Sequence, residues 1–193
     1  MGDPRKRNRR GKDARRATGG APSAHQPKGV DVLGWTILAH PLFLAQIERL
    51  ISAAEAERSG LTADAGSNTK LLGHLLDLAF DRIPRDPGNP NFRHGGALGK
   101  DRKNWFRAKT GNGRYRLFYR FQSSARIIVY VWVNDGESLR TYGSKTDAYA
   151  VFSKMLDDAN PPDDWNGLLA ASSKSSSVQR LGAIVKRATR KPK

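Results

Sequence analysis

Three consecutive stretches, Trp105 to Thr110, Arg114 to Phe121 and Arg126 to Val133, have strand-like composition and are separated only by Gly111-Asn112-Gly113 and Gln122-Ser123-Ser124-Ala125. Connections that short, with that turn chemistry, leave neighbouring strands no geometry except antiparallel hairpins. A three-stranded meander is therefore expected. In its middle strand, period-two alternation places Arg114, Arg116, Phe118 and Arg120 on one face and Tyr115, Leu117, Tyr119 and Phe121 on the other. In the third strand Ile127, Val129, Val131 and Val133 oppose Ile128, Tyr130 and Trp132, apolar on both faces, as in a central or covered strand.

Upstream, the alternation of Trp35, Ile37 and Ala39 reads as a short strand ended by Pro41. Phe43, Ile47, Leu50, Ile51 and Ala54 recur at helical spacing from Pro41 to Arg58, and Gly60 stops that helix. A second helix, capped by Asn68 or Thr69 and carrying Leu71, Leu72, Leu75, Leu76, Leu78 and Ala79, is expected to run to Pro84. Pro84 to Asn91 holds three prolines and reads as irregular loop, continued by Arg93-His94-Gly95-Gly96. Asp147 is positioned to cap a last helix with Ala148, Val151, Phe152, Met155 and Leu156 inward, ending before Pro161-Pro162. The class is α+β: strand, helical hairpin, three-stranded antiparallel meander and C-terminal helix, with helices on one sheet face and the arginines on the other.

Charge divides the chain further. The whole carries +16 from 34 Lys/Arg and 18 Asp/Glu. Residues 1–29 hold nine Lys/Arg and two acids and read as a disordered basic arm, whose ordinary fate is a solvated tail. Residues 166–193 hold seven Lys/Arg and no acid, and with their Ser172–Ser177 run they read as a linker and basic tail, in which Val178 to Arg187 could form one amphipathic turn or two but is expected to fray. Residues 30–165 then form one domain. Inside it, residues 93–126 concentrate ten cations against Asp101 alone. Like charges facing each other across a sheet repel, so a polyanion would relieve this segment.

Several classes drop out. The chain has no cysteine, which removes disulfides and thiolate zinc sites, and its histidines at 25, 40, 74 and 94 lack ligand spacing, so neither metal nor cofactor is expected. No apolar run approaches the ~18 residues of a membrane helix, and the basic N-terminus lacks a secretory signal's apolar stretch. A cytoplasmic protein without membrane contact is the expectation.

The arginine face suggests chemistry on phosphate. RNA cleavage passes through a phosphorane-like state with added negative charge, which preorganised cations stabilise, while a base takes the 2′-hydroxyl proton and an acid protonates the 5′-oxygen. A lysine crowded by cations gives up its proton more readily and then serves as a base. The inventory for these tasks is Lys109, Tyr142 and His94, with Arg107, Arg116 and Arg140 stabilising charge. The ordinary reading of each arginine is solvation or ion pairing, and His94 is equally suited to a plain loop role. Gly111 and Gly113 are taken as a turn. Most of the meander's aromatics are core by alternation, although an exposed ring could stack a base.

Ordered blocks then carry a resemblance. Gly34-Trp35, Ala39-His40-Pro41, Phe92-Arg93-His94-Gly95, Gly113 to Arg120, Asn134-Asp135, Leu139 to Gly143, Lys145 to Tyr149, Val151 to Leu156 and the closing Pro161-Pro162-x-Asp164-Trp165 resemble the YhaV-type toxins of the RelE-like superfamily. The likeness spans Leu33 to Trp165. It implies a sheet with a helical hairpin and a metal-independent endoribonuclease that cuts messenger RNA, often at the ribosome. It also implies a PrlF-type antitoxin, a swapped-hairpin DNA-binding protein that neutralises the toxin and brings the complex to operator DNA. By position, Arg107, Lys109, Arg116, Arg140 and Tyr142 become the catalytic candidates; Arg93, His94, Lys103, Arg114, Arg120 and Lys145 are the candidate RNA-binding side chains. The acidic Asp135-Gly136-Glu137 turn departs from the basic one usual in RelE. Two other readings stay open, a gyrase poison on the same scaffold and a noncatalytic nucleic-acid-binding protein.

Overall fold

The computed structural model describes residues 27–61, 66–138 and 144–188; the expected basic arm falls largely outside them, as do Arg140 and Tyr142. A five-stranded sheet runs in the order β1 (Val30–Val32), β2 (Trp35–Ala39), β5 (Ile127–Val133), β4 (Tyr115–Gln122), β3 (Phe106–Thr110). Strands β3, β4 and β5 form the expected antiparallel meander, whereas β2 lies parallel to β5, pairing Leu38 with Val129. Parallel pairing requires a long crossover; the helical hairpin and the loop beyond it carry the chain to the far edge at β3, from which the meander returns to β5. The added strand β1 is only three residues long, too short for its Val-Asp-Val alternation to stand out.

Helix α1 (Pro41–Arg58) begins on His40, whose Nδ1 accepts from the Leu42 amide; burial, reinforced by the Lys174 ammonium, lowers the pKa of this ring to about 4. Phe43, Leu44, Ile47, Ile51 and Ala54 are its buried stripe. Helix α2 (Ser67–Asp77) starts at Gly66 rather than being capped by its own Asn68 or Thr69. Glu57 of α1 instead accepts from the backbone amides and side chains of both residues, at 2.7–2.9 Å. Burial alone would raise the pKa of that carboxyl; the four hydrogen bonds outweigh it and bring the value to about 2. The helix also passes Pro84, through a π-turn (Leu78–Arg82) into α3 (Ile83–Arg85), because the π-turn shifts the hydrogen-bond ladder just ahead of the ring.

The expectation of one helix-covered sheet face and one open arginine face is corrected by the structure. On one side, α1, α2 and α6 (Ser175–Ala188) bury Ile37, Ala39, Leu117, Tyr119, Ile128 and Tyr130. On the other, α4 (Ala148–Asp157) and α5 (Trp165–Ser172) bury Leu38, Phe118, Ile127, Val129 and Val131. Phe118, on the arginine side, is fully enclosed and stacks on Phe152 at 4.2 Å. A second apolar layer was needed because β5 is greasy on both faces. A bulge also breaks its alternation: Phe118 pairs with Trp132 and Tyr119 with Tyr130, so Val131 and Trp132 share a side and Val133 joins Tyr130.

The segment after Trp165 also differs from the expected linker and frayed tail. Leu168 is buried from α5, Leu181 and Ile184 from α6, and Arg180 holds Glu48 of α1 through two hydrogen bonds of 2.7 and 2.8 Å. Serine content obscured an amphipathic helix whose apolar positions Val178, Leu181 and Ile184 recur at three.

Candidate active site

The arginines occupy the margins of the covered face, and two of them meet at one end of the β3–β4 ladder. Alternation along β3 aims Arg107 and Lys109 to the same side. Register then sets Lys109 opposite Arg116 on β4, two cations directly across the ladder. Arg116 is only 5% exposed. Its backbone amide donates to Asn134 Oδ1 at 2.5 Å and Asn134 Nδ2 donates to the Arg114 carbonyl at 3.0 Å, so this buried amide fixes the strand that carries the arginine. The guanidinium itself is less satisfied: Nη1 reaches the Arg114 carbonyl at 3.3 Å, while Nε is buried with no hydrogen-bond partner among the described residues. Leaving a buried charged donor unmade is costly, and it is tolerated where a ligand completes the set.

Tyr149 stands between the two arginines. Asp147 accepts from the Tyr149 amide at 2.9 Å, which starts α4 and fixes the ring in its first turn. Arg107 Nε donates to the Tyr149 hydroxyl at 2.9 Å, and the Arg116 guanidinium lies 5.7 Å from the ring centroid. Arg107 is held at its other end by the Asn91 carbonyl at 2.6 Å. Together with Lys109, His94 and the Gly95–Ala97 loop these side chains line an open cleft of about 550 Å³. The loop turns back through left-handed conformations at Gly95 and Gly96, φ 63° and 84°, which explains the glycine pair. Among the described residues no carboxylate lines this cleft and none forms an ion pair with Arg107, Lys109 or Arg116. An anion is the ligand such a cleft favours.

His94 borders the cleft as a loop organiser. Its Nδ1 accepts from the Leu98 amide at 3.4 Å, so the proton sits on Nε2, which donates to the Arg102 carbonyl at 3.0 Å. Burial lowers its pKa, aided by the nearby Arg107 and Arg93 cations and opposed by the Arg102 carbonyl. A neutral ring with both nitrogens engaged is poorly placed for proton transfer.

The remaining candidates scatter. Arg114 and Lys145 are exposed, just before β4 and in the turn before α4, and neither lines the cleft. Lys103 is exposed, and its carbonyl accepts from Arg93 Nη1 at 3.1 Å. Arg93 lies over the Phe106 ring at 4.2 Å. Arg120 is drawn to the opposite end of the ladder, donating to the Asp163 carbonyl between the rings of Trp105 and Trp165. Burial depresses its pKa despite the Asp163 and Asp164 carboxylates. Arg140 and Tyr142 lie outside the described residues. Tyr149 and Asn134 are the site residues that pattern reading missed; Tyr149 shares the buried stripe of Phe152 and Leu156 at a spacing of three and seven, one position from the stripe as read.

Comparison with known proteins decides the family. A family described as a toxin with endonuclease activity, of a toxin–antitoxin system, matches residues 37–173. The chain belongs to the YhaV toxin family. Toxin YhaV of Escherichia coli O6:H1 is 42% identical over 147 residues, 75% of this chain and 96% of the relative. The ribonuclease toxin YhaV of Escherichia coli K12 is 42% identical over 140 residues, 71% of this chain and 91% of the relative. No solved structure matches. The matched region includes every described cleft residue and reaches past Trp165 into α5, in keeping with the packing of that helix on the second core.

Proposed function

We propose that this protein is the toxin of a type II toxin–antitoxin pair and cleaves messenger RNA, in association with the ribosome, by a metal-independent reaction. The observation that carries this reading is the cleft in which Arg107, Lys109 and Arg116 surround Tyr149 with no carboxylate among the described residues that line it. A lining of cations suits a phosphodiester better than a divalent ion. The Lys109 amine accepts the 2′-hydroxyl proton, the 2′-oxygen bonds to phosphorus, and the bond from phosphorus to the 5′-oxygen breaks. The Tyr149 phenol returns a proton to that leaving oxygen, giving a 2′,3′-cyclic phosphate and a 5′-hydroxyl. Arg107 and Arg116 hold the charge that grows on the non-bridging oxygens. Arg140 and Tyr142 join the same site, on the strength of the resemblance and of their place in the segment between β5 and α4. Arg93, Lys103, Arg114, Arg120 and Lys145 guide the strand toward it.

The partner is an antitoxin of the PrlF type, which silences the toxin and carries it to operator DNA; the family description supports an antitoxin, and the sequence resemblance alone supports its type and the DNA. The test uses the full chain and a synthetic RNA in the presence of EDTA. Cleavage is expected, with cyclic phosphate ends and with complete resistance when the nucleotide 5′ to the cut lacks its 2′-hydroxyl. Activity that vanishes with EDTA, or that survives the 2′-deoxy substitution, overturns the mechanism.

A further inference from the structure

We propose that the groove between Arg93, Gln122 and Trp165 receives a nucleobase of the RNA strand next to the scissile phosphate. The inference rests on the RNA-cleavage reading above and adds a specificity site to it. The groove encloses about 410 Å³ and is lined by Arg93, Asn104, Arg120, Phe121, Gln122 and Trp165, over a floor of Phe106.

Its chemistry is that of base recognition. Single-stranded RNA is read by stacking bases on aromatic or guanidinium planes and by hydrogen bonds to their edges. Both kinds of plane are present: the Trp165 indole is half-buried beside Arg120, and the Arg93 guanidinium lies over Phe106. Asn104 and Gln122 are exposed, and each amide offers both donors and an acceptor to a base edge. Among the described residues no carboxylate lines the groove. The acids closest in sequence are committed elsewhere: the Asp163 carboxylate accepts from Trp105 Nε1 at 2.7 Å and Arg102 Nε at 3.2 Å, and Asp164 accepts from the Gly167 amide at 2.7 Å. Two guanidiniums make the groove a poor host for a cation and a good one for a polyanion's base.

Position links it to the cleft. His94 lines the cleft and its neighbour Arg93 the groove; Arg107 lines the cleft and its neighbour Phe106 the groove. Consecutive strand residues face opposite sides of the sheet, so the two concavities lie on either side of the edge strand β3, with Lys109 and Phe106 roughly 10 Å apart along it. An RNA strand that rounds this edge brings a base into the groove from a nucleotide near the phosphate under attack.

The experiment is a scan of abasic residues through a short RNA cut by the full chain. With the native protein, one abasic position near the cut is expected to raise KM about fivefold to a hundredfold, the range of one stacked base. In Trp165→Ala that position is expected to lose its penalty, and Trp165→Phe to restore most of it. Gln122→Ala and Asn104→Ala alter exposed side chains and are expected to change which base is preferred there, so they decide the question should Trp165→Ala unfold. An abasic penalty that is the same in native protein and Trp165→Ala, or a base preference unmoved by Gln122→Ala and Asn104→Ala, overturns the proposal. Absence of RNA cleavage by the native protein strikes at the cleavage reading instead.

Discussion

The two ends of the β3–β4 ladder begin with the same material and finish with different electrostatics. At one end Arg107, Lys109 and Arg116 gather around Tyr149 without a described carboxylate to neutralise them. At the other, Arg102 bridges Asp157 at 2.5 Å and Asp163 at 3.2 Å, donates to Ser153, and closes α4 against the loop before β3. Satisfied cations hold a fold together; unsatisfied ones store binding energy for a ligand. The difference shows that counting arginines on a strand face cannot separate the two roles, whereas counting the acids within reach of each can.

The contrast is open to direct attack. Lys109→Ala and Tyr149→Phe should each slow single-turnover RNA cleavage by about 10²–10⁴-fold, the range of a lost general base or acid, with melting temperature little changed. Arg107→Ala should follow at about 10²–10³-fold, since it removes one donor to the phosphorane and the partner of the Tyr149 hydroxyl. Arg102→Ala should do the reverse, retaining kcat while costing about 1–3 kcal/mol in urea denaturation, as expected for hydrogen bonds to charged groups. A large kcat loss in Arg102→Ala, in protein that remains folded, would erase the distinction between the ends.

The smallest effect concerns His94, on the loop between the two concavities. Its folded pKa is lowered, so the unfolded chain binds the proton first; stability is full above about 6.5 and falls as pH drops below it. His94→Gln should flatten that part of the stability curve measured by thermal denaturation. The pH dependence of cleavage above about 6.5 should be the same in both proteins. A basic limb that disappears with His94 would restore the ring to catalysis.

Much of this architecture was readable because the meander's turns and alternation leave few options. Each strand of the meander begins and ends within one residue of its expected span. What pattern reading lacked was the partner of the second sheet face. Helix α6, which joins α1 and α2 on the first face, was hidden as well: Val178, Leu181 and Ile184 sit in a serine-rich, acid-free stretch whose composition suggested a tail, yet they recur at three. The cap of α2 was unreadable for another reason: Glu57 reaches it from a different helix, and no local motif records a contact made across a loop. At the candidate site, period two singled out Arg116, whereas Arg107 and Lys109 were picked from the basic inventory and the resemblance; the register that sets Lys109 opposite Arg116 was not readable. Nor was Tyr149, since its role depends on α4 folding back over a face expected to be open.

The central claim is that Arg116 is retained for a phosphate and not for the fold, and Arg116→Met tests it most directly. Single-turnover RNA cleavage and the melting temperature are to be measured on the same preparation. The account predicts a loss of about 10²–10³ in rate with a melting temperature equal to or above that of the native protein, because a buried, incompletely bonded cation facing Lys109 has been replaced by an apolar side chain. Cleavage at the native rate, or a fall in melting temperature large enough to explain the lost activity, would contradict it.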